Sequence, residues 1–272
     1  MDKAILAVDV AAVWNKIQEK KPLVHHLTNW VTIYDCAQAT RSFGALPVMA
    51  HAPEEVAEMT GISGALVLNI GTLTEEFVDA MIIAGKTANK KGTPVVLDCV
   101  GVGATKLRTE EARRLLKEVR FAIVKGNAGE ISTLAGVEAE VRGVESISAS
   151  GNRKETAKKL AKMENAVVVI TGAQDTVASP DGRVFLVDNG HALMGRVVGT
   201  GCMAASVIGA FAAVEKDYAK AAAAALAAYG IAAELAAPKA SGPLDFKNKL
   251  LDESANLDAQ TLSKMAKISE AR

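Results

Sequence analysis

Short, continuous runs of apolar residues recur along the chain, and each run ends in glycine or in a polar residue. The clearest runs are residues 65–70, 94–98, 121–124 and 166–171. Between them, segments such as residues 75–91 place their apolar residues on one face at helical spacing. Strands that are apolar on both faces are typical of parallel sheets covered by helices on both sides. The sequence therefore predicts an α/β fold of three layers, α/β/α, with a mostly parallel central sheet.

The rest of the chain continues this alternation without a linker-like break, so we expect a single domain over residues 1–272. Residues 179–182, Ser-Pro-Asp-Gly, predict a hairpin between short strands at 176–178 and 183–187. The alanine-rich segment 219–237 resembles a membrane span most closely. Two charged residues interrupt it, and alanine is a weak membrane former, so a packed helix is the better prediction.

Charge and cysteine content argue against several classes of protein. The 31 Lys and Arg balance the 31 Asp and Glu, which does not indicate a surface for nucleic acid or anionic membranes. The three cysteines, Cys36, Cys99 and Cys202, are typical of neither a disulfide framework nor a metal knuckle. Charged residues near the N-terminus favour an amphipathic helix over a signal peptide. We therefore expect a cytoplasmic protein.

Polar residues follow the apolar runs at their carboxyl ends, where open parallel sheets bind their ligands. Asn69, Asp98, Lys125, Asn127 and Thr171 all occupy such positions. Turns at these places need glycine, but a purely structural sheet does not need acids, amides and a lysine there. We expect these side chains to converge on one site.

A glycine turn, Gly199-Thr200-Gly201, directly precedes Cys202 and an apolar helix. Closely spaced glycines let backbone N–H groups point at one place, and the helix dipole adds to the attraction for an anion. Cys202 in the first turn would favour its thiolate form, which can accept a proton. Alternatively, Cys202 is a small core residue. The sequence has no Walker-type loop, so any phosphate site is expected at this turn.

Three further residues, Glu130, His25 and His26, also fit purely structural roles. Glu130, three residues after Asn127, fits a capping box, or with Asp98 it fits an outer-sphere partner of Mg²⁺, which retains several waters. His25 and His26 are neighbours on a strand, so their rings point to opposite faces and do not suit one metal ion. Both histidines are expected to be half-buried packing residues.

Six segments together resemble the hydroxyethylthiazole kinase family of the ribokinase-like superfamily, in that family's order and spacing. Each is weak alone, and the set covers most of the chain. The segments are residues 22–29 (PLVHHLTN), 44–49 (GALPVM), 69–73 (NIGTL), 97–103 (LDCVGVG), 125–130 (KGNAGE) and 198–202 (VGTGC).

The resemblance implies ATP-dependent, Mg²⁺-dependent phosphorylation of the primary alcohol of 4-methyl-5-(2-hydroxyethyl)thiazole in thiamine salvage. It also implies a ribokinase-like fold and a homotrimer with active sites between subunits. It assigns a role to each candidate site residue. The implied roles are thiazole binding for Asn29, Met49 and Gly199; ATP binding for Lys125, Asn127, Thr171 and Gly201; magnesium binding for Asp98 and Glu130; and, for Cys202, the position at which related sugar kinases have an aspartate base.

Three positions depart from the family pattern, with Cys99 in place of proline, Lys125 in place of arginine and Gly129 in place of serine. Lysine offers a point charge rather than a bidentate fork, so a looser phosphate contact is expected at Lys125. Two other functions stay open. One is a kinase of another vitamin-precursor alcohol, such as hydroxymethylpyrimidine; the other is a nucleotide-binding regulatory protein without turnover. The segments around Asn29 and Met49 favour the thiazole kinase.

Overall fold

The computed structural model describes residues 8–137 and 150–271, and the strands in these ranges form one nine-stranded sheet. The strands are β1 (Leu23–Leu27), β2 (Leu46–Val48), β3 (Ala65–Asn69), β4 (Val95–Asp98), β5 (Ile123–Asn127), β6 (Val167–Thr171), β7 (Asp175–Ala178), β8 (Val184–Val187) and β9 (Ile268–Ala271).

Helices pack on both faces of the sheet. In the described part of the chain they are α1 (Val10–Lys20), α2 (Ile33–Ser42), α3 (Val56–Ile62), α4 (Glu75–Lys91), α5 (Lys106–Glu118), α6 (Ala128–Leu134), α7 (Ser150–Glu164), α8 (Thr200–Ala212), α9 (Tyr218–Ala236), α10 (Pro243–Ala255) and α11 (Ala259–Met265).

The strand order is β2-β1-β3-β4-β5-β6-β7-β8-β9. Strands β1 to β6 pair in parallel, and β7, β8 and β9 extend the sheet through antiparallel pairs. The predicted three-layer fold with a mostly parallel sheet is confirmed, and so is the predicted hairpin of β7 and β8. The single-domain organisation over all 272 residues stays a prediction.

Two apolar cores cover the sheet, because strand residues alternate between its faces. Val67 packs in the core that contains α8 and α9, whereas its neighbours Leu66 and Leu68 pack in the core that contains α4 and α5. Helix α8 lies very close to the sheet, since a Cβ on Gly209 would come within 2.5 Å of Val67 Cγ2. This close packing holds the start of α8 against the carboxyl ends of the central strands.

The alanine-rich helix α9 is a core helix, as expected. Residues 218–239 are long and apolar enough to cross a membrane, but 78% of the most apolar window is buried inside the protein. Alanine side chains allow α8 and α9 to approach each other closely over the sheet. Burial of most of the surface of α9 explains why it carries so few charges.

His25 and His26 are fully buried rather than half-buried, with 0% and 1% of their surface exposed. His25 contacts the side of α3, through Nδ1 and Thr60 Oγ1 at 2.9 Å, and its Nε2 lies 2.7 Å from Ala50 O. His26 contacts the side of α2, with Nε2 3.3 Å from Thr40 Oγ1. Because their partners lie on different helices, the two rings point to opposite faces, as expected.

Burial of His26 makes stability depend on pH. Burial lowers the pKa of His26 from 6.5 to about 4, although a hydrogen bond to Val24 O opposes the shift. The unfolded chain therefore takes up this proton first, and the contribution to stability, complete above pH 6.5, is lost progressively down to about pH 4. We expect this residue to lower the free energy of unfolding by about 2 kcal/mol between pH 7 and pH 5.

Urea unfolding of the natural protein and of His26→Gln at pH 7, 6 and 5 measures this effect. Glutamine retains hydrogen-bonding capacity but does not titrate, so the pH dependence of the variant should be shallower. Equal pH dependence in the two proteins would show that His26 titrates normally in the folded state.

Candidate active site

A row of polar side chains crosses the carboxyl edge of the sheet on β3, β4 and β5. Asn69 pairs with Asp98, and Asp98 pairs with Lys125, in the strand register. Residues at equal register on neighbouring parallel strands share a face, and this face is covered by α8. Each of these three polar residues lies two positions after a core residue on its own strand. Those core residues, Val67, Val96 and Ile123, pack beneath α8.

The centre of this row is a buried ion pair. Lys125 Nζ donates to Asp98 Oδ1 at 2.9 Å, and Asn69 Nδ2 donates to Asp98 Oδ2 at 2.7 Å. Burial raises the pKa of Asp98, and the Lys125 ammonium opposes that rise. Burial would lower the pKa of Lys125, but the Asp98 carboxylate outweighs it and raises that pKa. Lys125 therefore carries its charge over the whole neutral range.

Hydrogen bonds continue from this pair to the cysteine. Asn29 Nδ2 donates to Asn69 Oδ1 at 3.0 Å and to Cys202 Sγ at 3.4 Å. The N–H groups of residues 31 and 32 bond to Asn29 Oδ1, and the N–H of Gly71 bonds to Asn69 Oδ1. Backbone groups thus fix which end of each amide is the donor. One polarised chain of bonds, the site network, connects Lys125, Asp98, Asn69, Asn29 and Cys202.

The glycine turn places α8 as the sequence predicts. Gly199 has φ +96°, and a Cβ there would lie 2.6 Å from Thr32 Cγ2, so both conformation and space require glycine. Helix α8 has no side-chain cap, which leaves its first N–H groups available for an anion. A Cβ on Gly201 would lie 3.3 Å from Lys125 Nζ. The lysine ammonium therefore lies beside the same helix start as Cys202.

A cavity of about 510 Å³ opens beside this helix start. Thr171, Gly201 and Asp175 all line it. Burial raises the pKa of Asp175 to about 6, although a hydrogen bond from the N–H of Gly172 opposes the shift. Asp175 is thus partly protonated at mildly acidic pH, which weakens its repulsion of an anionic ligand there.

Glu130 occupies the capping position. Its N–H donates to Asn127 Oδ1 at 3.0 Å, and Glu130 Oε2 accepts from the N–H of Asn127 at 2.7 Å. Glu130 Oε1 accepts a further bond, from the N–H of Gly101 at 2.9 Å. The capping-box interpretation is confirmed. It does not exclude the magnesium interpretation, because each carboxylate oxygen keeps a second lone pair.

The donor groups fit a hydrated magnesium ion better than a directly ligated one. Every carboxylate oxygen of Asp98 and Glu130 already accepts a hydrogen bond. Residues 8–137 and 150–271 contain no cluster of three His, Cys, Asp or Glu side chains that could hold a metal ion. Mg²⁺ usually keeps several waters in proteins, and those waters can donate to the remaining carboxylate lone pairs.

Met49 is not part of the site network. It follows the edge strand β2, one residue before the carbonyl that lies near His25. Neighbouring His51 packs edge-on against Trp30, with ring centroids 4.8 Å apart. Of the ten predicted site residues, the structure joins four in the site network, namely Asn29, Asp98, Lys125 and Cys202. Two more, Thr171 and Gly201, line the cavity. Gly199 shapes the turn before α8, and Asn127 caps α6 together with Glu130.

The chain is similar to known proteins over nearly its whole length. The model of the hydroxyethylthiazole kinase family matches residues 14–260. The chain belongs to this family. A hydroxyethylthiazole kinase of Methanosarcina mazei is 58% identical over 254 residues, which cover 93% of this chain and 97% of the relative. That of Desulforudis audaxviator is 51% identical over 272 residues, 100% of this chain and 99% of the relative.

Solved structures agree with the sequence relatives. The hydroxyethylthiazole kinase of Pyrococcus horikoshii superposes with a TM-score of 0.90 at 41% identity, and the match covers 97% of this chain and 99% of the other. A ribokinase-like superfamily protein of Enterococcus faecalis has a TM-score of 0.64 at 14% identity over 87% of each chain. The second match concerns the fold alone, which is ribokinase-like as expected.

Two residues of the site were not assigned a role from the sequence. Asn69 was noticed only as a polar strand end, whereas it connects Asp98 to Asn29. Arg108 lies in a helix of charged residues, so no pattern distinguishes it, yet its guanidinium donates to three loop carbonyls. Asn69 could have been found from the strand register, but Arg108 could not.

Proposed function

We propose that this protein transfers the γ-phosphoryl group of ATP to the primary alcohol of 4-methyl-5-(2-hydroxyethyl)thiazole, a reaction of thiamine salvage. The observation that carries this proposal is the position of Cys202. It lies in the uncapped first turn of α8, beside the Lys125 ammonium, at the end of a polarised hydrogen-bond chain. Membership of the hydroxyethylthiazole kinase family identifies the alcohol.

Proton transfer is the role of Cys202. The substrate oxygen attacks the γ-phosphorus and forms a new P–O bond, the bond to the ADP oxygen breaks, and the alcohol proton passes to the Cys202 thiolate. The Asn29 amide donates to Cys202 Sγ and so fixes the position of the sulfur. Asn29, Gly199 and Met49 are the proposed thiazole-binding residues.

Charge on the moving phosphoryl group is stabilised by fixed donors. The N–H groups of residues 199–201 and the Lys125 ammonium lie at the start of α8, where three phosphoryl oxygens can be bound at once. Thr171 and Gly201 line the 510 Å³ cavity, which we assign to the rest of ATP. Asn127 at the end of β5 completes the proposed ATP-binding residues.

A magnesium ion, when bound with ATP, would neutralise phosphate charge. Asp98 and Glu130 would hold it through its waters, because their oxygens are already hydrogen-bonded within the protein. The cytoplasm remains the proposed location, in keeping with thiol chemistry at Cys202.

Turnover with different acceptors tests this function. The purified protein is incubated with ATP and Mg²⁺ and with the thiazole alcohol, hydroxymethylpyrimidine or no acceptor, and ADP and phosphorylated product are measured. We expect the thiazole alcohol to give the highest kcat/KM. Preference for hydroxymethylpyrimidine would support the other vitamin-alcohol kinase. ATP binding without product from any alcohol would support a regulatory protein.

We further propose a homotrimer in which neighbouring subunits complete each active site. Four large apolar side chains near the start of α8 and α2 are exposed, Trp30, Val31, Tyr34 and Val198, with exposed fractions of 49, 68, 69 and 76%. The two segments that carry them meet, because a Cβ on Gly199 would lie 2.6 Å from Thr32 Cγ2. Exposed apolar surface supports an interaction site here, and a second subunit packed against it would also close the pocket around a small apolar thiazole.

Mixing two inactive variants tests for shared sites. Met49→Arg blocks the thiazole pocket, and Cys202→Ala removes the base. With random exchange of equal amounts, about one interface in four pairs two intact halves, so we expect recovery towards a quarter of natural activity. The control is each variant mixed with itself. No recovery after subunit exchange, confirmed by mass spectrometry of labelled subunits, would place both residues in one subunit's pocket.

A further inference from the structure

Arg108, near the start of α5, donates to three backbone carbonyls at the carboxyl edge of the sheet. Nη1 donates to Ile70 O at 2.9 Å and to Val100 O at 3.0 Å, and Nη2 donates to Gly71 O at 2.7 Å. Ile70 and Gly71 follow β3, whereas Val100 follows β4. One guanidinium therefore joins the loops that leave the two central strands.

These bonds begin where the backbone ladder between β3 and β4 ends. The last ladder bond, from the N–H of Ile70 to Asp98 O, is already 3.4 Å long. The β4 loop is also shaped around the arginine side chain. Gly101 has φ +79°, and a Cβ there would lie 2.9 Å from Arg108 Cδ. Arg108 thus replaces the missing ladder bonds between the separating chains.

Both loops are held by Arg108 on one side and by a site residue on the other. The peptide group before Gly101 accepts from Arg108 through its carbonyl and donates to Glu130 Oε1 through its N–H. On the other loop, the carbonyl of Gly71 accepts from Arg108, and its N–H donates to Asn69 Oδ1. Glu130 and Asn69 are therefore each hydrogen-bonded to a loop backbone that is also hydrogen-bonded to the Arg108 guanidinium.

We propose that Arg108 is a positioning residue for the phosphoryl transfer, because it fixes the two loops that orient Asn69 and Glu130. The inference rests on the proposed function. Loss of the three bonds frees both loops, so the Asn69 amide no longer holds Asn29 against Cys202. A misplacement of about 1 Å in such a site can lower the rate roughly 10²-fold.

The test compares Arg108→Ala and Arg108→Lys with Arg114→Ala as the matched control. Arg114 lies on the same helix and pairs with Asp79 and Glu111 at the surface. We expect Arg108→Ala to lower kcat about 10- to 100-fold with a smaller change in KM. Lysine should restore little, because an ammonium cannot form the fixed fork. Arg114→Ala should retain natural kcat.

Chemical rescue separates positioning from loss of folding. Free guanidinium ion, at concentrations far below those that denature the natural protein, should occupy the space left in Arg108→Ala and restore part of its kcat. Calorimetric binding of Mg·ATP, which needs no acceptor, should weaken in Arg108→Ala and recover with guanidinium. That readout holds even if the thiazole alcohol proves not to be the substrate. Unchanged kcat and Mg·ATP affinity in Arg108→Ala, or losses that guanidinium does not restore, would overturn the inference.

Discussion

Cys202→Ala should lower kcat with ATP and the thiazole alcohol by about 10²–10⁴-fold, the usual value of a positioned general base. Within the site network, Cys202 is the residue that lies in the first turn of α8, and its sulfur accepts a hydrogen bond from the Asn29 amide. Activity should not vanish, because phosphoryl transfer depends mainly on positioning and charge stabilisation. KM for ATP should change little, since alanine leaves the N–H groups of the turn in place.

Two further variants make this prediction specific. Cys202→Asp should retain more activity than Cys202→Ala, because a carboxylate is normally ionised at neutral pH and can accept a proton. Cys36→Ala removes a buried thiol on the neighbouring helix α2 and should keep natural kcat. Steady-state kinetics at saturating substrates gives all three values. Full kcat in Cys202→Ala would show that the alcohol loses its proton to another group.

Lys125→Met should both destabilise the fold and slow catalysis. The variant leaves the fully buried Asp98 carboxylate without its cation, and such a loss typically costs about 3–5 kcal/mol. The same substitution removes the positive charge next to Gly201. We expect kcat to fall by roughly 10²–10³-fold, as when one group that stabilises developing charge is removed.

A second substitution separates the two effects. In Lys125→Met with Asp98→Leu, no unpaired charge remains, and replacement of a buried ion pair by apolar groups is often neutral in stability. Stability should therefore recover while activity stays low. Lys125→Arg, which keeps the positive charge, should keep both. Urea unfolding and turnover of the same samples provide the measurements. Restored activity in the double variant would show that neither Lys125 nor Asp98 serves the reaction beyond neutralising the other.

The fold was predictable because its signals are local. The apolar runs at β3, β4, β5 and β6 could only be strands buried on both faces, and Thr74 caps α4 as its position indicates. Helix α11 and strand β9 were missed. Strand β9 is short and half exposed, so no apolar run in the sequence indicates it. It forms because it pairs with the edge strand β8, a contact between distant parts of the chain.

The sequence indicated most of the site residues, but it indicated few of the hydrogen bonds between them. Strand ends indicated Asp98 and Lys125, and the glycine turn indicated Cys202. The sequence could not show that Asn29 bonds to the sulfur, since 173 residues separate the two partners. For Glu130 the sequence left two roles open, and only the structure shows that both of its oxygens bond to backbone N–H groups. Roles that depend on partners distant in the chain need coordinates.

We expect the alcohol to be activated at Cys202, beneath a phosphate bound at the start of α8. A crystal structure with the thiazole alcohol and a non-hydrolysable ATP analogue tests this activation directly. The substrate hydroxyl should lie within hydrogen-bond reach of Cys202 Sγ, with the γ-phosphate against the N–H groups of residues 199–201. A hydroxyl that instead contacts another side chain, with Cys202 facing away from it, would show that Cys202 is not the base.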